Sequence, residues 1–128
     1  MGCDIHAHIQ YRHKDDCNRR WITLVENFNL WRNYEIFSSL AGVRCKKDVR
    51  TKFPKGLPND TGIDYRMQRL MDDTDAHSKS WATLQEWRDA VEPYAKQEYT
   101  MEYQLVTRIL EMLENSGCEV RVIYWFDN

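Results

Sequence analysis

Residues 3–12 alternate without a break. Cys3, Ile5, Ala7, Ile9 and Tyr11 share one parity, and Asp4, His6, His8, Gln10 and Arg12 share the other. Period two over this length predicts a half-buried strand. The polar run from His13 to Arg20 turns the chain. Within 20–26, Trp21-Ile22-Thr23-Leu24-Val25 is rich in β-formers and predicts a second strand, an antiparallel hairpin partner of the first. Segment 118–127 alternates again and predicts a third strand. Cys118, Val120, Val122, Tyr124 and Phe126 take one side of it, and Glu119, Arg121, Ile123, Trp125 and Asp127 the other.

Between these strands the period changes to that of helices. Asn33 is placed to cap a helix that carries Tyr34, Phe37, Leu40 and Ala41 on one side and ends at Gly42. Thr61 with Asp64 predicts the start of a second helix, with Ile63, Met67, Leu70 and Met71 as its apolar face. Thr83 and Glu86 form a capping-box pattern ahead of Leu84, Trp87, Val91 and Tyr94, and Pro93 ends that helix. Tyr99, Tyr103, Val106, Leu110 and Leu113 step along a fourth helix over 97–115, stopped by Gly117. Segments 43–62 and 72–82 read as irregular loops. The sum is α+β, one domain over 1–128: a small antiparallel sheet of about three strands (3–12, 20–26, 118–127) with about four helices on one face, the apolar one.

Composition narrows the function classes. With 128 residues, 42% of them hydrophobic, the chain can bury a core without disulfides or metal staples. Its 18 basic and 20 acidic residues leave a net charge of −2. That gives no general attraction for nucleic acid or anionic lipid, so nucleic acid is not an expected partner. The basic stretch from Arg44 to Lys55 reads as a solvated loop. The four cysteines are scattered, with no C-x-x-C spacing, and are expected as reduced thiols in a cytoplasmic protein. No apolar run is long enough to cross a membrane. Neither GxGxxG nor a P-loop is present, so those phosphate-binding routes are absent. The aromatic content, with five Trp and seven Tyr, favours a ligand cleft or an interface.

Candidate chemistry begins on the first strand. Histidines at i and i+2 present two imidazoles on one side, about 6–7 Å apart at Cα. Such a pair can share a metal or act as acid and base across a phosphodiester. Asp4, in line with His6 and His8, can ligate or orient an imidazole. Further ligands are expected from Asp72, Asp73, Asp75 and His77, with the loop Asp75-Ala76-His77-Ser78 closing over the strand. The metal set would be His6, His8 and Asp75, with a divalent cation as candidate cofactor. If the third strand lies beside the first in matching parity, Arg121, Trp125 and Asp127 join this face. There an Arg can fork onto phosphate and a Trp can stack on a base. Arg32 and Tyr34 are added as neighbours, and His13 reads as surface. The plain alternative is a strand face that is only polar and solvated.

Asp4-Ile5-His6-Ala7-His8 looks like the D-x-H-x-H opening of amidohydrolases and related metal phosphoesterases. Those families need a barrel of about twice this length, so the likeness extends to local geometry alone. A broader resemblance covers both ends and the middle of the chain. Gly2-Cys3-Asp4-Ile5-His6, Asp75-Ala76-His77-Ser78-Lys79-Ser80-Trp81-Ala82-Thr83-Leu84 and Trp125-Phe126-Asp127-Asn128 together resemble a family of small bacteriophage and prophage proteins. The resemblance implies origin rather than an activity. Small phage proteins often act against bacterial defence, some by cleaving or sequestering nucleotide immune signals. The leading expectation is therefore that the chain binds and hydrolyses a phosphorylated nucleotide-like signal, such as a cyclic nucleotide, in the host cytoplasm. His6, His8, His77 and Asp4 would be catalytic, and Arg121, Trp125, Asp127, Arg32, Tyr34 and Ser78 would bind the ligand. The alternatives are a binding protein that sequesters such a ligand intact, and a protein inhibitor acting by surface contact. A homo-oligomer is an open expectation, prompted by the amphipathic long helix and by Trp125 on the outward parity.

Overall fold

The computed structural model describes residues 2–44 and 53–128. Its elements run β1 (Asp4–His13), β2 (Ile22–Val25), α1 (Tyr34–Ala41), α2 (Tyr65–Met71), β3 (Ala76–Ala82), α3 (Leu84–Val91), a short 3-10 turn (Glu92–Tyr94), α4 (Met101–Asn115) and β4 (Cys118–Asp127). One antiparallel sheet has the order β2-β1-β4-β3. The central pair is β1 with β4, in register from Asp4 opposite Asp127 to His13 opposite Cys118. The α+β class holds, with four strands in the sheet.

The fourth strand lies in a segment expected to be irregular. In β3 the pairing with β4 slips between His77 and Ser80, and Ser78 sits at φ +55. That bulge breaks the alternation by which a strand is recognised.

The inward parity of β1 and β4 forms the main core. Cys3, Ile5, Ala7 and Ile9 meet Val122, Tyr124 and Phe126 beneath α1, α3 and α4. Trp87 and Tyr103 are fully buried there, and the Trp87 indole N–H donates to the Tyr103 carbonyl at 3.1 Å. The helix ends follow side-chain chemistry. Asn33 accepts from the Ile36 N–H, Gly42 closes α1 at φ +68, and Thr83 and Glu86 form a reciprocal capping box. Helix α3 stops at Val91, and Pro93 lies in the 3-10 turn that follows.

Helix α2 departs from the expectation twice. Its cap is Asp64, which accepts from the Met67 N–H, rather than Thr61. It also packs on the opposite face of the sheet. Ile63, Met67 and Met71 cover Ile123 and Trp125 in a second, smaller core. The sheet is thus sandwiched, with three helices on one side and α2 on the other. Helix α4 begins at Met101 rather than at 97. Cys3 and Cys118 are buried free thiols, as their parity implied, and Cys17 is an exposed one. Of the basic stretch, Arg44 lies over the Tyr34 ring, and the Lys55 ammonium sits 3.5 Å from the centre of the Trp81 ring. Cys45, Lys46, Lys47, Arg50 and Lys52 lie outside the described residues. Among the described residues no helix is long and apolar enough to cross a membrane.

Candidate functional site

Antiparallel pairing of β1 with β4 brings the outward residues of both strands into one stripe. His6 lies opposite Trp125, His8 opposite Ile123, Gln10 opposite Arg121 and Asp4 opposite Asp127. The conditional expectation that Arg121, Trp125 and Asp127 share a face with Asp4, His6 and His8 is met. Both imidazoles lie nearly parallel to the Trp125 indole, at 5.3 Å for His6 and 5.0 Å for His8.

The two histidines then diverge. His6 is partly open, with Nε2 2.5 Å from Asp127 Oδ2 and Nδ1 2.9 Å from Asn27 Oδ1. His8 has no exposure. Its Nδ1 accepts the Asn27 backbone N–H at 3.2 Å, which leaves the proton on Nε2. That Nε2 is buried and meets no partner among the described residues. Burial pushes the His8 pKa down to about 4, so the ring is neutral at neutral pH. Asn27 serves both rings from the left-handed region, at φ +52, where Asn is tolerated better than most residues. No pattern in the sequence singles out Asn27. It follows β2 in what reads as a plain turn.

Arg121 is committed within the protein. Its two Nη atoms fork onto the Asp60 carboxylate at 2.8 and 2.9 Å, and Nε donates to Gln10 Oε1 at 2.7 Å. Its guanidinium also lies 3.9 Å from the centre of the Trp21 ring and is 4% exposed. The pair holds the Asp60 carboxyl below its usual range. Gly62 is required beside it, because a Cβ there would come within 2.3 Å of Arg121 Nη2. Arg121 therefore ties the 60–62 loop to the sheet, which corrects its expected role as an open phosphate contact. Trp125, 4% exposed under α2, is likewise no free stacking plate. The same burial removes the outward Trp125 as an argument for an oligomer.

His77 is not gathered with His6 and His8. It pairs with Phe126 and stacks on that ring at 6.2 Å, and Phe126 belongs to the main core on the other side of the sheet. Its nitrogens lie 2.9 Å from Ser78 Oγ and 3.3 Å from Asn128 Oδ1. The three-histidine constellation fails because parity along β3 turns His77 away from that stripe. Asp75, in the turn before β3, has its N–H held by Asp73. Among the described residues no three His, Cys, Asp or Glu side chains are grouped to hold a metal, so the set His6, His8 and Asp75 is not assembled.

Beside the open end of the stripe lies a groove of about 410 Å³, bounded by Asp4, Asn29, Leu30, Trp31, Arg32 and Tyr99. Arg32 forks onto Asp4, with Nε 2.7 Å from Oδ1 and Nη2 3.2 Å from Oδ2, and this holds the Asp4 carboxyl below its usual range. Gly2 packs beneath the guanidinium so closely that any Cβ would clash with it. Trp31 and Tyr99, 52% and 62% exposed, meet at 5.0 Å with their rings tilted by 43°. The Trp31 backbone is anchored by the Tyr103 hydroxyl, which donates to its carbonyl. Tyr34 stands nearby and accepts the Cys3 N–H at 3.2 Å. Sequence reasoning found Asp4, Arg32 and Tyr34 but missed Trp31, Asn29 and Tyr99. Trp31, directly before Arg32, was the available signal.

A larger groove, about 530 Å³, runs along the far end of the sheet past Arg12, Trp21, Asp60, Glu119 and Arg121. Its main charges are matched internally, Arg12 to Glu119 and Arg121 to Asp60. Comparison with known families, curated proteins and solved structures finds no match, so the functional reading rests on this geometry alone.

Proposed function

We propose that the protein binds a small phosphorylated, nucleotide-like molecule in the Asp4–Trp31–Arg32–Tyr99 groove and sequesters it intact. The observation that carries this reading is the exposed Trp31–Tyr99 pair beside a half-exposed arginine. Aromatic faces stack on bases whatever their identity, and Arg32, although its Nε and Nη2 are engaged by Asp4, is exposed enough for a phosphate to compete for its guanidinium. Large aromatic side chains are seldom left open to solvent side by side without a partner to cover them. A phage or prophage source, a cytoplasmic setting and a role against nucleotide defence signals accompany this reading as proposals.

Sequestration is favoured over hydrolysis because the expected catalytic residues are separated. His8 is buried and neutral, and His77 lies on the other face of the sheet. One observation favours hydrolysis as the second reading. The His6–Asp127 contact at 2.5 Å is partly open to solvent, and a carboxylate-oriented imidazole of this kind serves as a general base once a substrate displaces Asn27 from Nδ1.

Calorimetry with a panel of cyclic and linear nucleotides, followed by heat denaturation and chromatography of the released ligand, separates the two. Sequestration returns the ligand unchanged. Trp31→Ala should weaken binding about tenfold or more, since stacking contributes ~1–3 kcal/mol per base, and Arg32→Gln should do so for phosphorylated ligands selectively. Product formation that disappears in His6→Ala would instead establish the second reading. Absence of binding across the panel would sink both.

A further inference from the structure

The groove that holds Arg32 also holds the Asp4 carboxylate, and a phosphate alone gives that carboxylate nothing to do. The Asp4 side chain is 51% exposed, and among the described residues Arg32 is the one donor to its two oxygens. Arg32 holds the carboxyl below its usual range, so the group is ionised at neutral pH. A phosphate that takes the guanidinium leaves this negative charge beside its own. Like charges repel, and an acceptor covered by a ligand without a donor is costly. Asp127, opposite Asp4 in the sheet, is a second carboxylate and brings no donor.

A ligand that carries a donor next to its phosphate removes this cost. An ionised carboxylate accepts about four hydrogen bonds and donates none. Arg32 takes two of those positions, which leaves room on both oxygens. In a nucleotide the donors that adjoin the phosphate are the sugar hydroxyls. The 2′-hydroxyl of ribose stands on the carbon next to the one that bears a 3′-phosphate, and deoxyribose lacks it. The donors of the base lie across the sugar, where Trp31 and Tyr99 offer stacking faces. Tyr99 is held for display at φ +61, in the left-handed region that bulky side chains rarely adopt. The aromatic pair, the carboxylate and the guanidinium thus match base, sugar and phosphate.

We infer that the ligand of this groove is a ribonucleotide, whose 2′-hydroxyl donates to Asp4 while the adjoining phosphate takes Arg32. This rests on the nucleotide reading above and adds the identity of the sugar.

Calorimetry on the full chain tests it with 3′,5′-cyclic AMP, 3′,5′-cyclic GMP and 3′–5′ linked dinucleotides of the same bases, each beside its 2′-deoxy counterpart. The ribo forms should bind about tenfold or more tightly than the deoxy forms, because hydrogen bonds to an ionised acceptor are among the stronger ones. Asp4→Asn keeps the shape and removes the charge. It should bring that ratio toward one by weakening the ribo ligands, while the deoxy ligands bind as well as before or better. Circular dichroism checks the fold of the variant, and the wild-type ratio is a test without it. A carboxylate that only braces Arg32 would weaken both forms alike on substitution, which overturns the inference. Equal binding of ribo and deoxy forms by the wild-type chain overturns it too, and leaves the nucleotide reading standing. Absence of binding by every member of the series overturns both.

Discussion

With no solvent exposure and one ring nitrogen unmatched, His8 resists protonation. The groups whose charges reach it are Glu26, His6, Asp64 and Arg66, yet burial outweighs them all and sets its pKa at about 4 against an ordinary 6.5. Between those values the unfolded chain takes up a proton that the folded chain refuses. The folded state is therefore at full advantage above about pH 6.5 and loses it as the pH falls toward 4, by up to roughly 3 kcal/mol. Asp4, Asp60 and Glu119, held low by arginine partners, lose their contribution in the same direction at lower pH. Urea midpoints measured between about pH 7 and pH 4 should fall, and His8→Phe should flatten the slope. An unchanged slope in that variant would remove His8 from the account. His6, two residues away on the same stripe, stays partly exposed, and Asn27 and Asp127 reach its two nitrogens.

At the scale of elements, strands β1 and β4 were legible because their alternation is unbroken, and α1 and α3 because their caps have clear side-chain chemistry. Strand β3 was hidden. Ala76-His77-Ser78-Lys79-Ser80 has little β-propensity, and the bulge at Ser78 shifts the parity, which sends His77 to the wrong face for the expected site. The side of the sheet that α2 would choose was also hidden, since Met67 and Met71 say only that one stripe is buried, not against what. The same blindness to distant loops left Asn27 and Asp60 unread, although both decide what the histidines and Arg121 do. Where local chemistry sets an element, its contribution can be tested directly. Thr83→Ala removes one half of the α3 capping box and should cost about 1 kcal/mol by thermal or urea unfolding, with α3 as the first element to lose amide protection. A loss within experimental error would mean that tertiary packing of Trp87 alone holds the helix start.

For the whole molecule, the three-layer arrangement divides the sheet into unequal sides. The side under α1, α3 and α4 buries Trp87, Tyr103, Phe37 and Phe126 and carries most of the apolar contact. The side under α2 is smaller and mixes Met and Trp with the buried polar groups His8, Gln10 and Arg121. Hydrogen exchange should rank them accordingly. Amides of α2 should open well before those of α4, because α2 is seven residues long and its two buried residues, Met67 and Met71, belong to a cluster of five buried apolar residues. Equal protection of the two helices would argue that the Arg121–Asp60 tie and the Gln10 bond to the Gly62 carbonyl lock that layer as firmly as the main core.

The central pairing of β1 with β4 has a consequence for how the chain reaches this structure. The residues it joins are far apart along the polypeptide, 121 positions for His6 and Asp127 and 111 for Gln10 and Arg121. Closing so large a loop is costly in entropy and slow compared with forming a helix or hairpin. As the polypeptide leaves the ribosome, β1 has only β2 to pair with, and a two-stranded hairpin is marginal in water. Its Ile5, Ala7 and Ile9 face lacks Val122, Tyr124 and Phe126 beside it until residues beyond Cys118 arrive. Premature termination anywhere before that point removes an inner strand rather than trimming a margin. It strands β3 without a neighbour and leaves the nascent hairpin as a substrate for chaperones or proteases.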